Sequence, residues 1–329
     1  MNAAPAPLPV GVVGVGSLGQ HHARLYASSP EARLVGIYDT RLERAAEIAK
    51  QFRTTAYPSL DALLADVEAV SVVVPTTAHH EVALAALARG RHVLVEKPIA
   101  AGIAQAEEMV AAAERAGVVL QTGHVERFNR ALRAAAPHLA SPKFIESDRV
   151  APFAARGSDV AVILDLMIHD LDLVLALVGE PVVDVRASGI GVVTPSVDIA
   201  TARIEFASGA VANLTASRLA RERVRKLRIF QPSGYFSLDL AAGKGEFLRL
   251  KPDAHDRIAG GETDLARLVE RLKLDAPEAE PLGLELTNFV RAVRGREKPA
   301  VTGADGLSAL ALAFRVLEAV GASATPQHA

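Results

Sequence analysis

The stretch Pro9-Val10-Gly11-Val12-Val13-Gly14-Val15-Gly16-Ser17-Leu18-Gly19 decides the fold of the first half of this chain. An apolar run ends in glycines spaced G-x-G-x-x-G, and a helical pattern follows through Tyr26. Strand, glycine turn and helix in that order form a dinucleotide-binding fingerprint. Gly14 permits the tight turn, Gly16 lets the backbone approach a pyrophosphate, and Gly19 allows close packing of helix on strand. The phosphates then lie at the positive helix N-terminus, beside Ser17 and Leu18. The competing reading is a glycine turn without cofactor.

The next strand, Ala32 to Tyr38, bears on that choice because it ends in Asp39, about 20 residues beyond the last glycine, where the acidic partner of the cofactor ribose is expected. A carboxylate there accepts from ribose hydroxyls and repels a 2'-phosphate, which favours NAD over NADP; Arg41 is close enough to blur the preference. Thr40 with Glu43 reads as a capping box, and Leu42, Ala45, Ala49 and Phe52 form one helical stripe. Strand and helix then alternate: strand Ala69 to Val74, helix Ala78 to Arg89, strand His92 to Val95, helix Ile103 to Ala116, strand Val118 to Thr122. Such alternation requires right-handed crossovers and a parallel, doubly wound sheet. Residues 1–122 are thus expected to form an NAD-binding α/β domain. Pro75, Thr76 and His79 follow the third long strand, where ligands bind open parallel sheets, so a cofactor role and a loop role both remain open for His79. His21 and His22 lie in the first helix, and neither is expected to be catalytic.

After Ala140 the alternation lapses. Phe144 to Val150, Val182 to Val193, Ile199 to Phe206, Val211 to Arg218, Val224 to Gln231 and Phe236 to Leu240 read as strands with turn signals at Ser208-Gly209 and Ser233-Gly234. Short connections imply a large, mainly antiparallel sheet, so residues 123–329 are expected to form an α+β domain for substrate binding and oligomerisation. One sheet face should cover helices; the other, if apolar, would demand a partner. Ala254 to Thr263, rich in glycine and charge, reads as a mobile loop. Leu284 to Val293 and Gly306 to Val320 read as helices, and Met1 to Pro9 and Ala322 to Ala329 as disordered ends.

Composition narrows the classes. The 329 residues suffice for about two domains of roughly 150 residues. Half are hydrophobic, and the net charge of -2 gives no pull toward nucleic acid or an acidic membrane. No apolar run reaches the ~18 residues a membrane helix needs. The absence of cysteine removes disulfides and thiolate chemistry and is compatible with a reducing cytosol. The N-terminus lacks the cationic start of a secretory signal, so the expected location is cytoplasmic.

Two clusters carry chemistry. Glu96-Lys97-Pro98 closes a strand at the mouth of the expected cofactor cleft, where an ammonium can polarise a substrate hydroxyl. The bland alternative is a solvated charge pair followed by a turn proline. Asp165 and His169 stand four apart within the helical stretch Val160 to Val178, so they share a face, with Asp172 on the same side. A carboxylate one turn from an imidazole can orient it for proton removal. A polar helix face is the bland reading, and a metal site from Asp165, His169 and Asp172 lacks a further ligand cluster, so no metal is expected. The basic run Arg218, Arg221, Arg223, Arg225, Lys226 and Arg228 suits either phosphate binding or a solvated face.

Pro75-Thr76-Thr77-Ala78-His79, Gly90, His92-Val93, Glu96-Lys97-Pro98 and the Asp165-x-x-x-His169-x-x-Asp172 segment together resemble the glucose-fructose oxidoreductase, inositol dehydrogenase and MocA family. The resemblance implies NAD(P)-dependent oxidation or reduction of a sugar or polyol carbon, a catalytic set of Lys97, Asp165 and His169, a cis peptide bond before Pro98, and a homodimer or homotetramer. Gly123-His124-Val125-Glu126-Arg127-Phe128-Asn129 is similar to the subgroup that oxidises C3 of UDP-N-acetylglucosamine or its uronic acid for a partner aminotransferase, in lipid A or surface polysaccharide synthesis. That likeness implies a nucleotide-sugar substrate met by His124, Arg127, Phe128 and Asn129, with Glu96 beside the cofactor. Arg130 departs from the pattern, where proline is expected. A free sugar or inositol as substrate, or a catalytically silent cofactor-binding sensor, are the alternatives.

Overall fold

The computed structural model describes residues 6–154 and 160–324, the side chains of 322–324 excepted. They divide into two compact units: residues up to Val125 with Glu280–Leu310, and Glu126–Ala279 with the chain from Ala311 onward.

In the first unit the strands are β1 (Leu8–Val13), β2 (Ala32–Tyr38), β3 (Thr55–Ala56), β4 (Ala69–Val72), β5 (His92–Glu96) and β6 (Leu120–Gly123). Among the described residues they form a six-stranded parallel sheet in the order β3-β2-β1-β4-β5-β6. The crossovers are α1 (Gly19–Ser28), α2 (Leu42–Phe52), α3 (Leu60–Asp66), α4 (Thr76–Leu87) and α5 (Ile103–Ala116). The order reverses between β1 and β4, the switch point at which doubly wound sheets bind dinucleotides. The α2 capping box does not form: the helix starts at Leu42 with Arg41 at its N-cap and no side-chain cap, and the Arg41 N–H donates to Asp39. Leu8 and Pro9 belong to β1, against the disordered start expected through Pro9; residues 1–5 lie outside the described residues.

The sequence reading placed everything after residue 122 in one domain, whereas Glu280–Leu310 clusters with the first unit. The reason is apolar. Leu286, Phe289 and Val290, from the helix Pro281–Val293, join Leu8, Val10, Tyr26 and Ile37 in one buried cluster.

In the second unit β7 (Phe144–Val150), β8 (Val182–Ile190), β9 (Ile199–Phe206), β10 (Val211–Ser217), β11 (Val224–Gln231), β12 (Gly234–Asp239), β13 (Lys244–Leu250) and β14 (Val269–Leu274) make an eight-stranded sheet. Its order is β14-β13-β12-β11-β7-β10-β9-β8, antiparallel except at β7 and β10. One face is apolar: Ile145, Leu214, Leu227, Ile229, Phe236 and Phe247 are buried, the last two stacked at 4.2 Å. The other face is not the apolar surface that would demand a partner. In register across it run Asp148, Lys226, Asp239 and Lys244, then Glu146, Arg228, Ser237, Glu246 and Lys273, beside an aromatic row of Phe144, Phe230 and Tyr235.

A helix, Ala254–Ala259, occupies the segment read as a loop, and the last helix, Gly303–Ala324, runs past both ends of the pattern read from Gly306 to Val320. Ala322 to Ala324, read as part of a disordered tail, lie in that helix; residues 325–329 lie outside the described residues.

Candidate active site

In the first unit the glycine turn has the shape the fingerprint requires. Gly14 adopts φ +86°, and a Cβ on it would lie 2.6 Å from the Val73 carbonyl oxygen. A Cβ on Gly19 would overlap the Gly14 carbonyl oxygen. Above Gly16 nothing lies within 4 Å, so its lack of a side chain serves nothing inside the chain. The α1 N-terminus follows Leu18 with no side-chain cap; Gln20 N–H and His21 N–H turn back to Gly16 O at 3.3 Å and Leu18 O at 2.9 Å, and the positive end of the helix faces the turn at Ser17 to Gly19. Asp39, buried at the end of β2, accepts Val15 N–H at 2.9 Å on one oxygen and Arg41 N–H at 2.9 Å on the other. A carboxylate offers about four lone-pair sites, so acceptor capacity remains for a ribose. Open space at Gly16, an uncapped helix and a buried carboxylate together fit a dinucleotide. Arg44, which no motif points to, supports the turn by donating to Val15 O at 3.1 Å and Gln20 at 2.9 Å.

Pro75 and Thr76 stand at the start of α4, exposed and half-buried. His79 does not present its ring to a cofactor. It is 1% exposed and lodged between Pro98 O and Val74 O, each at 2.9 Å. Glu96 is buried, with Oε1 3.1 Å from His22 Nε2. Burial works to raise its carboxyl, but the His22 hydrogen bond and charge, with Lys97, hold it below the usual carboxylate range. Lys97 is half-buried, and the peptide bond to Pro98 is cis. His124 is fully buried just after β6.

In the second unit, Asp165 lies in a single π-helical turn, Ile163–Met167, and His169 is the second residue of α7 (Ile168–Val178). Both are half-buried. The regular helix expected across this segment is therefore widened at Asp165, a device that recurs at functional sites. The wide turn leaves Asp165 and His169 on successive turns of one helical element. Its start is tied down where Val162 N–H donates to Val197 O at 2.8 Å and Arg218 Nη2 donates to Val160 O.

Asp172, expected on the same side, is paired with an arginine. Arg127 binds it through Nε at 2.6 Å and Nη2 at 2.8 Å. That contact commits two of the guanidinium nitrogens expected to meet substrate. Asn129, also expected to meet substrate, is buried and caps the helix Arg130–Ala135 by accepting Ala131 N–H at 3.0 Å; its amide donates to Glu126 and Leu240 O. Phe128 is half-buried. Arg130 opens that helix in place of proline and donates to Ala276 O at 2.7 Å.

Sequence reasoning missed the buried cluster behind this segment. Arg149 donates to Asp170 at 2.6 and 3.0 Å and to Glu126 at 2.9 Å, and Arg225 reaches Glu126 at 3.1 Å. The signal was present: Arg149 occupies an inward position in line with Ile145 and Ser147, where a charge needs a buried partner. These bonds, with Arg218 at Val160 and Arg228 at Glu146, also engage much of the basic run; Arg221 and Arg223 stay exposed. Among the described residues no group of three or more His, Cys, Asp and Glu could hold a metal ion.

Comparison with known proteins agrees with both units. Residues 8–124 match the oxidoreductase family with an NAD-binding Rossmann fold, and residues 141–237 match the GFO/IDH/MocA C-terminal domain. UDP-N-acetylglucosamine 3-dehydrogenase of Acidithiobacillus ferrooxidans is 40% identical over 315 residues, covering 95% of this chain and 97% of that one. Its solved structure superposes with a TM-score of 0.87 at 38% identity, over 96% of this chain and 98% of the other. Myo-inositol 2-dehydrogenase of Thermotoga maritima is 29% identical, covering 93% of this chain and 94% of that one. With its glycine turn, its cis Lys97-Pro98 turn and both family domains in order, the chain belongs to the Gfo/Idh/MocA family of oxidoreductases.

Proposed function

We propose that this protein is an NAD-dependent dehydrogenase that oxidises the C3 hydroxyl of UDP-N-acetylglucosamine, or of its uronic acid, to the 3-keto sugar. The observation that carries the reading is the 40% identity to a UDP-N-acetylglucosamine 3-dehydrogenase, which extends through the cofactor unit and the sheet unit alike. The 3-keto product suits a partner aminotransferase, in lipid A or surface polysaccharide synthesis in the cytoplasm. Among the described residues no helix is long and apolar enough to cross a membrane.

NAD, when bound, supplies the hydride acceptor. The N–H groups at Ser17 to Gly19 hold its pyrophosphate, with Gly16 leaving room, and Asp39 accepts from the ribose hydroxyls and disfavours a 2'-phosphate. His169 removes the hydroxyl proton as the C–H bond breaks, Asp165 orients its ring, and the Lys97 ammonium steadies the charge developing on oxygen. The chain acts as a homodimer or homotetramer, and the alternating charges on the outward sheet face suit contact with a second copy.

The test is turnover of NAD with UDP-N-acetylglucosamine, followed as NADH absorbance and 3-keto product. His169→Ala or Lys97→Ala should lower kcat by at least about 100-fold. Undiminished turnover in both variants would sink the assignment of roles. Turnover of inositol or a free aldose in preference to the UDP sugar would replace the substrate, and NADH binding with no turnover on any sugar would replace the enzyme with a sensor.

A further inference from the structure

Two buried histidines that remove no proton in this reaction hold the chain around Lys97, His79 through a backbone carbonyl after it and His22 through the Glu96 carboxylate before it. His79, from α4, sets Nδ1 2.9 Å from the carbonyl oxygen of Pro98, the residue after Lys97, and Nε2 2.9 Å from the carbonyl of Val74, where the chain leaves β4. His22, from α1 and 0% exposed, sets Nε2 3.1 Å from Glu96 Oε1. The other oxygen of Glu96 accepts the backbone N–H of Lys97 at 3.3 Å. Gly123 keeps the space this carboxylate occupies, since a Cβ there would lie 3.0 Å from Glu96 Cδ.

From this geometry we infer that His79, together with the His22 and Glu96 pair, positions Lys97 for the reaction. The inference rests on the reading of Lys97 as the group that steadies the hydroxyl oxygen. Neither ring touches substrate; each acts by fixing the backbone from which the lysine projects. The two arms of His79 are chemically distinct. A neutral imidazole carries one N–H and both partners are carbonyl oxygens, which only accept, so a single arm is held at a time unless the ring is protonated. Burial opposes that protonation, while the Pro98 and Val74 carbonyls, Glu96 and the Ile99 backbone favour it; the balance leaves the ring below the usual imidazole range. The Nδ1 arm reaches the Lys97 turn, and the Nε2 arm reaches the loop after β4.

Amide side chains separate the arms, because Asn can place a donor near the Nδ1 position and Gln near the Nε2 position. The full-length protein would be compared with His79→Phe, His79→Asn and His79→Gln. Three readouts are needed: kcat with NAD and UDP-N-acetylglucosamine, NADH affinity by fluorescence, and the rate at which acetic anhydride modifies the Lys97 amine, followed by peptide mass spectrometry. Small displacements of a reacting group cost about tenfold or more. His79→Phe and His79→Gln should lose about tenfold in kcat with NADH affinity held within about threefold, and His79→Asn should recover most of the loss. Lys97 modification should change in the Phe and Gln variants and return toward wild type in the Asn variant. Equal losses in Asn and Gln, an unchanged Phe variant, or a parallel loss of NADH affinity would overturn the inference in favour of packing or cofactor support. If Phe does not fold, the Asn and Gln pair still decides. If the wild type oxidises no UDP sugar, the substrate reading has failed, while the modification series, which needs no substrate, still judges the positioning.

Discussion

Asp39 Oδ2 accepts the N–H of Val15 at 2.9 Å, so the carboxylate expected to read the ribose also fixes the glycine turn expected to hold the phosphates. Replacing Asp39 should therefore harm the apo protein as well as its cofactor affinity. Asp39→Ala leaves the N–H groups of Val15 and Arg41 without this acceptor, and an unpaired buried donor costs about 1–3 kcal/mol. A melt of the cofactor-free variant, beside NADH and NADPH titrations, measures both effects. Unchanged apo stability would show that the turn stands without the carboxylate.

Two of the fingerprint glycines, Gly16 and Gly19, should separate in the same assays. Gly16→Ala meets nothing within 4 Å, so apo stability should stay within about 0.5 kcal/mol while NADH binding weakens at least about tenfold. Gly19→Ala drives a methyl into the Gly14 carbonyl, and overpacking of this kind costs about 1–3 kcal/mol before any ligand is added. Wild-type NADH affinity in Gly16→Ala would remove that residue from the cofactor surface.

Arg127→Ala should act on stability first. The change removes the guanidinium from Asp172, whose side chain is 1% exposed, and breaking a buried pair from one side costs about 3–5 kcal/mol. Urea unfolding checks the value, and Arg127→Met with Asp172→Leu should regain much of it. A raised KM at unchanged stability would instead return Arg127 to the substrate-binding role its motif suggests.

Stability should fall on acidification, with part of the loss traceable to His92. Its Nδ1 accepts Val119 N–H at 2.9 Å, a bond that a proton on that nitrogen would abolish, and burial holds the ring below its ordinary value. Because the folded-state pKa is depressed, the unfolded chain binds the proton more readily. The stabilising contribution is whole above about pH 6.5 and is lost as pH falls through the folded value. Melting temperatures from pH 8 to 5 should decline less steeply in His92→Asn, which retains an acceptor that does not titrate. Parallel profiles for the two proteins would refute the attribution.

The parallel sheet was legible because each long strand is a buried apolar run closed by a turn residue, and the spacing from Gly19 to Asp39 tied two strands to one ligand. Thr55–Ala56 and Leu60–Asp66 escaped notice because each is too short for its period to register. Lys244–Leu250 and Val269–Leu274 were hidden by the charges on their outward positions, which read as loop until the cross-strand partners are known. At the site, Lys97, Asp165 and His169 were visible as motif residues. The π turn beneath Asp165 was not, since it is an irregularity of hydrogen bonding rather than of composition. Nor were the pairings of Arg149 with Asp170 and Arg127 with Asp172, because distant partners leave no local mark.

The parallel pair β7 and β10, the one such pair in the large sheet among the described residues, bears on how the protein is made. β7 takes β10 on one side and β11 on the other, and both emerge from the ribosome only after Gly209 has been added. Until then β7 is a strand with two open edges and no hairpin to occupy either, while β8 and β9 can already pair with each other. Closing a connection of that length before any contact rewards it is slow. Assembly of the sheet should therefore wait on its middle, and nascent chains halted before β10 should be the ones most readily captured by chaperones or lost to aggregation.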